Sequence, residues 1–92
     1  MASFNVYVSE EFDKQLSKIT KKDKILIEKK FSEKIIPQLK YEPHFGLNIK
    51  KLKNWNPEMW RYRVGNYRIF YKIDDQKKEV DILTIDQRKD AY

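Results

Sequence analysis

Arg61, Arg63 and Arg68 flank a Gly65-Asn66 pair, and Arg88 and Tyr92 follow near the end of the sequence. A guanidinium is a planar fork that stays protonated and can give two parallel hydrogen bonds to a phosphate. Four such groups can bind a phosphodiester and stabilise the extra charge of a pentacoordinate transition state. Tyr92, Tyr71 or Tyr62 can offer a ring on which an unpaired base stacks, a contact worth ~1–3 kcal/mol per base. Lys50, Lys51, Lys53 and Lys72 lie close by in sequence and add further phosphate-binding charge. The partner that suits this set is a polyanion. Other site chemistries find no support. No His/Asp/Glu cluster has metal-ligand spacing, there is no Ser/His/Asp set, and no glycine-rich phosphate loop is present. No metal and no small-molecule cofactor is therefore expected. The lone histidine, His44, sits between Pro43 and Phe45 and reads as surface structure.

The charge balance points the same way. The chain has 20 Lys and Arg against 14 Asp and Glu, for a net +6. Between Lys50 and Lys72 there are seven basic residues and one acid, so this segment carries the whole net charge. A clustered basic strip is the footprint of nucleic-acid binding.

The cations need an element that presents them together. From Trp60 to Tyr71, cationic and large apolar residues alternate with period 2, the period of a β-strand. Gly65-Asn66 supplies two residues that tolerate positive φ, as a tight hairpin requires. Trp60, Tyr62 and Val64 then share one face and Arg61 and Arg63 the other. On the return arm Tyr67, Ile69, Tyr71 and Ile73 share a face, opposite Arg68 and Lys72. Trp60, Tyr62, Tyr67 and Tyr71 are expected mainly as core aromatics, with Tyr71 also a candidate for base stacking. Arg68 has a structural use open to it as well, an ion pair with Asp81 or Asp86 on a neighbouring strand.

The other elements follow from capping and periodicity. Phe4, Val6 and Val8 alternate with polar neighbours, which predicts a strand over about residues 3–8. Ser9 is a helix N-cap with acids behind it, and Phe12, Leu16 and Ile19 form one helical stripe. Thr20 caps a second helix whose buried stripe contains Ile27, Phe31 and Ile35. Pro37 lacks a helical donor and is expected to kink or end that helix near Ile36. Leu47, Ile49 and Leu52 suggest a short strand with a bulge near Lys50-Lys51. A last strand is expected over about residues 79–86.

The fold class is thus α+β: an N-terminal strand, a helical hairpin, then an antiparallel sheet of three to four strands with the helices packed on one face. The 92 residues are expected to form one domain. There are no cysteines, hence no disulfide framework. Neither a signal-like apolar run nor a stretch of eighteen apolar residues is present, which suggests a cytoplasmic protein with no membrane partner.

Leu52-Lys53, the run Arg61-Tyr62-Arg63-Val64-Gly65-Asn66-Tyr67-Arg68-Ile69-Phe70-Tyr71 and the closing Arg88-Lys89-Asp90-Ala91-Tyr92 resemble the RelE/ParE toxin superfamily over nearly the whole chain. The resemblance implies a toxin of a type II toxin–antitoxin pair, with a cognate antitoxin as partner. In the RelE branch it implies metal-independent cleavage of mRNA on the ribosome, by attack of a 2′-hydroxyl on the adjacent phosphate. Arg68 then matches the arginine that stabilises the scissile phosphate, and Arg61 and Arg63 match basic residues near the attacking hydroxyl. Arg88 matches the arginine of the closing strand. Tyr92 matches the terminal tyrosine that stacks on a base or assists proton transfer. The alternatives are a ParE-type inhibitor of DNA gyrase without nuclease chemistry, or an inactive relative that binds nucleic acid. Two positions depart from the family pattern. Gln87 stands where many members have histidine, and both paired hairpin positions are arginines rather than lysines. An arginine, with a pKa above ~12, is a poor general base.

Overall fold

Alternation along the hairpin becomes alternation across a sheet. The computed structural model describes residues 3–55 and 57–87, so Arg88 and Tyr92 lie outside the described residues. Strands β3 (Trp60–Val64) and β4 (Tyr67–Asp74) pair antiparallel, with Val64 opposite Tyr67 across the two-residue turn. Only Gly65 of that turn takes positive φ, at 57°. Glycine at the first central position is the mark of a type II′ turn, so Asn66 does not use the conformational freedom expected of it. A Cβ on Gly65 would meet nothing within 4 Å, which makes the backbone dihedral, not space, the reason for glycine.

Strands β1 (Asn5–Val8), β2 (Ile49–Lys51) and β5 (Glu79–Gln87) complete a five-stranded sheet of order β1-β5-β4-β3-β2. The α+β class holds, and β2 to β5 form the expected antiparallel run. The N-terminal strand joins the same sheet, parallel to β5, with Asn5 beside Glu79 and Val8 beside Ile82. Beyond Val8 the edge of β5 has lost its partner strand. There the Gln15 side-chain oxygen accepts from the Ile85 N–H at 2.8 Å, satisfying a donor the sheet leaves over.

The helices begin where their caps predict. The Ser9 hydroxyl accepts from the Phe12 N–H at 3.0 Å to open α1 (Glu10–Ser17), and donates to the Leu83 carbonyl at 2.6 Å. Thr20 caps α2 (Lys21–Lys30) through the Asp23 N–H at 3.3 Å. Of the two outcomes expected at Pro37, an end or a kink, the helix does not end there; its regular ladder is interrupted just before the proline. A π-helical turn, Phe31–Ile35, precedes α3 (Ile36–Tyr41), and the Ile36 N–H reaches back five residues to the Phe31 carbonyl. In a regular α-helix the Pro37 ring would crowd the Glu33 carbonyl. One widened turn shifts the hydrogen-bond ladder and lets the helix run past the proline.

Strand β2 differs as well. It has no bulge, its three residues pair regularly with β3, and Leu47 is fully exposed instead of seated in the sheet. The irregularity lies between β4 and β5, where Phe70 pairs with Thr84 but Tyr71 with Ile82, leaving Leu83 as an extra residue.

One sheet face carries Tyr62, Val64, Tyr67, Ile69, Tyr71, Val80, Ile82 and Ile85, buried against Phe12, Leu16, Ile27, Ile35 and Leu39 from the helices. The Phe12 and Phe31 rings stack with centroids 5.4 Å apart and join α1 to the π-helical turn. Among the described residues no helix lies on the opposite sheet face, and it is there that the hairpin arginines lie. No helix among the described residues is long and apolar enough to cross a membrane.

Candidate nucleic-acid interface

Register decides which cations are neighbours. Lys50 of β2 is opposite Arg61 of β3, Arg61 is opposite Phe70 of β4, and Arg63 is opposite Arg68. Lys72 is opposite Asp81, and Arg68 is opposite Asp86. Residues in these pairs share a sheet face, with Cβ atoms about 5 Å apart across strands and about 7 Å between alternate residues of one strand. Lys50, Arg61, Arg63, Arg68 and Lys72 therefore occupy one patch of the helix-free face, spread over three adjacent strands.

The sequence candidates divide accordingly. Lys51 pairs with Trp60, which puts it on the helix side of the sheet at the edge. Its ammonium lies 5.9 Å from the Trp60 ring centroid and forms an ion pair with Glu58. Lys53 is exposed in the turn after β2. Tyr71 is a correction: it has no solvent exposure, and its hydroxyl donates to the Pro43 carbonyl at 2.7 Å. It cannot stack on a base without unfolding the core. Burial, helped by the neighbouring Tyr62 and Glu42, pushes that hydroxyl far above the ordinary phenol range. Tyr62 is buried too. Among the described residues Phe70 shares the cationic face, by its parity with Arg68 and Lys72, and so does the half-exposed Tyr7 of β1, which lies opposite Asp81. Arg88 and Tyr92 lie outside the described residues.

Arg68 makes the ion pair that its position allowed. Its Nε donates to Asp86 Oδ1 at 3.2 Å and its Nη2 to Oδ2 at 3.1 Å, and its guanidinium carbon lies 5.6 Å from the Phe70 ring centroid. Both partners are over one-third exposed, so the pair adds at most about 1 kcal/mol to stability. Among the described residues Arg61 and Arg63 take part in no ion pair. The Arg61 Nε is shielded from solvent and has no hydrogen-bond partner there, an unfavourable state for a charged donor.

His44 lies away from this face. Its Nδ1 is 2.7 Å from Glu42 Oε2 and its Nε2 2.9 Å from Asp75 Oδ1. The ring packs edge-on against Phe4 and Trp60. With both nitrogens engaged, it joins the loop after α3 to the turn between β4 and β5. No group of three or more His, Asp or Glu side chains among the described residues is arranged to hold a metal ion.

Residues 6–92 match the model of the ParE toxin of the parDE type II toxin–antitoxin system. The chain belongs to the RelE/ParE toxin superfamily. The toxin is also similar to solved structures. It matches the RelBE2 toxin–antitoxin complex from Mycobacterium tuberculosis with TM-score 0.72 and 25% identity, over 95% of this chain and 100% of that one. The isolated Escherichia coli RelE toxin matches with TM-score 0.68 and 21% identity, over 98% and 88%. The archaeal RelE–RelB complex from Pyrococcus horikoshii matches with TM-score 0.61 and 20% identity, over 97% and 99%. Among curated proteins a sequence comparison finds no significant match.

Proposed function

We propose that the toxin is a ribosome-dependent, metal-independent mRNA endoribonuclease. The observation that carries this reading is the patch of Lys50, Arg61, Arg63, Arg68 and Lys72 on the helix-free sheet face, within which Arg63 and Arg68 are directly opposed. Like charges in register destabilise a sheet, so their retention favours a polyanion as partner. RNA brings its own nucleophile, the 2′-hydroxyl. The protein then needs to position the strand, neutralise the phosphate and stabilise its added charge. Arg68 binds the scissile phosphate, Arg61 and Arg63 hold the phosphate from the adjoining strand, and Arg88 and Tyr92 complete the site, Tyr92 by stacking on a base. Lys50 and Lys72 bind flanking phosphates, and Lys53 reaches the same strand from its turn. Protonated arginines do not abstract a proton, so the translating ribosome supplies that part of the chemistry along with the mRNA geometry.

The partner that silences the toxin is a cognate antitoxin, in line with the toxin–antitoxin complexes among the similar structures. Charge complementarity calls for an acidic or amphipathic segment laid over the cationic face. A cytoplasmic location follows from a ribosomal target.

A second reading has a specific observation in its favour: the family model that matches is that of the ParE toxin. Under it the cationic face binds gyrase or its DNA, with no phosphodiester chemistry. Primer extension on a defined mRNA, with and without translating ribosomes, separates the two. Ribosome-dependent cuts made by wild type and lost in Arg68→Ala support the nuclease. Intact mRNA together with inhibited gyrase supercoiling supports the second reading.

A further inference from the structure

Arg68 has five N–H donors, and the way two of them are spent sets what the other three can do. Asp86 takes Nε–H through Oδ1 and one Nη2–H through Oδ2. Both contacts lie on a single edge of the guanidinium. The two hydrogens of Nη1 and the second of Nη2 form no hydrogen bond among the described residues. Nη1 and Nη2 together make the other bidentate edge of the fork, the arrangement that matches two phosphate oxygens. Meanwhile the Phe70 ring lies beneath the guanidinium carbon at 5.6 Å. Arg68 is thereby held at an edge and a face, on a strand paired in register with that of Asp86.

A carboxylate beside a phosphate-binding arginine can compete with the phosphate or can aim the arginine. Competition would require Asp86 to occupy the end-on Nη1/Nη2 edge, which it leaves open. We propose that Asp86 is a positioning residue for the cleavage reaction, fixing the Arg68 guanidinium by its Nε edge so that its Nη1/Nη2 edge meets the substrate phosphate. This rests on the nuclease reading above for the substrate and on the observed hydrogen bonds for the geometry. An exposed arginine with four rotatable side-chain bonds spends much of its time in other rotamers. A bidentate tether restricts them before the phosphate arrives, which is where orientation contributes to rate.

A positioning role for Asp86 has a distinct kinetic signature. Asp86 repels an incoming phosphodiester while it improves the aim of Arg68. Asp86→Asn keeps the shape and one acceptor but removes the charge. It should bind mRNA-loaded ribosomes at least as tightly as wild type, yet cleave with kcat lower by about tenfold, the size of effect expected when one oriented contact loses its orientation. A merely structural role would weaken both parameters together. In an Arg68→Lys background, where no fork remains to be aimed, Asp86→Asn should leave kcat unchanged. An Asp86→Asn variant with unchanged or raised kcat overturns the proposal, as does an equal loss in both backgrounds.

A second readout stands apart from cleavage. In nitrogen-15 NMR spectra the Arg68 Nε–H should be a sharp, exchange-protected signal in the wild type. In Asp86→Asn it should broaden or exchange with solvent. Equal protection in both proteins overturns the tether. If wild type cuts no mRNA at all, the nuclease reading fails, and the proposed contribution to cleavage is overturned with it. The NMR comparison then decides separately whether Asp86 holds Arg68.

Discussion

Arg63 and Arg68 are cross-strand partners beside the turn of one hairpin, two permanent cations on the same sheet face. Directly opposed like charges cost a sheet roughly 0.2–1 kcal/mol. Asp86 offsets the charge of Arg68, and Arg63 has no carboxylate in ion-pair range among the described residues. Replacing Arg63 with threonine, a β-branched residue suited to a strand, should stabilise the fold by a few tenths to about 1 kcal/mol. The same change should weaken binding of single-stranded RNA. Urea denaturation and a binding titration on one protein preparation check both signs, and opposite signs are the expected outcome.

Lys50 and Lys72 lie on the helix-free face, while Lys51 is turned toward Trp60 on the other. The salt dependence of RNA binding should separate them. Lys50→Ala and Lys72→Ala should each lower the log–log salt slope by about 0.7, the value for one single-strand phosphate contact. Lys51→Ala should leave it unchanged. If all three alter the slope equally, the sheet face does not select the contacts.

Tyr71→Phe removes the donor that the buried Pro43 carbonyl receives at 2.7 Å. An unsatisfied buried acceptor costs about 1–3 kcal/mol, and the loss should appear as a lower midpoint in urea with an unchanged m-value. RNA affinity of the folded variant should match wild type, because the ring is inside the core.

The His44 backbone N–H, and then its ring, hold the Glu42 carboxyl below its ordinary value of 4.5. A depressed carboxyl pKa adds stability that is present above the unfolded-state value and lost as pH falls through the folded-state one. Thermal unfolding should therefore show Tm falling as pH drops below about 4.5, and Glu42→Gln should flatten that part of the profile. An identical acid limb in the two proteins would mean that the Glu42–His44 contact does not govern it.

Local signals in the sequence translated well. The parity of Arg61, Arg63, Arg68 and Lys72, the caps at Ser9 and Thr20, and the possible Arg68–Asp86 pair each depend on residues close in sequence or on adjacent strands. Three features escaped because their causes are tertiary. A π-helical turn before Pro37 exists because the helix continues to bury Leu39, and sequence alone weighs only the missing donor. Leu47 was expected in a strand from its apolar side chain, yet the contact with β3 closes with the Arg63 N–H on the Asn48 carbonyl at 2.9 Å, one residue short of it. Tyr71 was chosen for stacking by residue type. Its parity with Ile69 and Ile73 pointed inward, and that periodicity outweighs the presence of a hydroxyl, which found Pro43. Parity places Phe70 on the cationic face, and the β1–β5 register adds Tyr7.

The parallel pairing of β1 with β5 sets an order of events during synthesis. Its partners are 74 positions apart, Asn5 with Glu79 and Val8 with Ile82, and the Ser9 hydroxyl reaches Leu83 over the same separation. Nothing made earlier can substitute for β5, which lies between β1 and β4. A nascent chain can form its helices and hairpin, but the sheet closes only after residue 82 clears the exit tunnel. Contacts of this span make folding slow relative to helix or hairpin formation. Until β5 has emerged, the edge of β4 that it covers stays open, and that edge is the part of the sheet a nascent chain exposes longest.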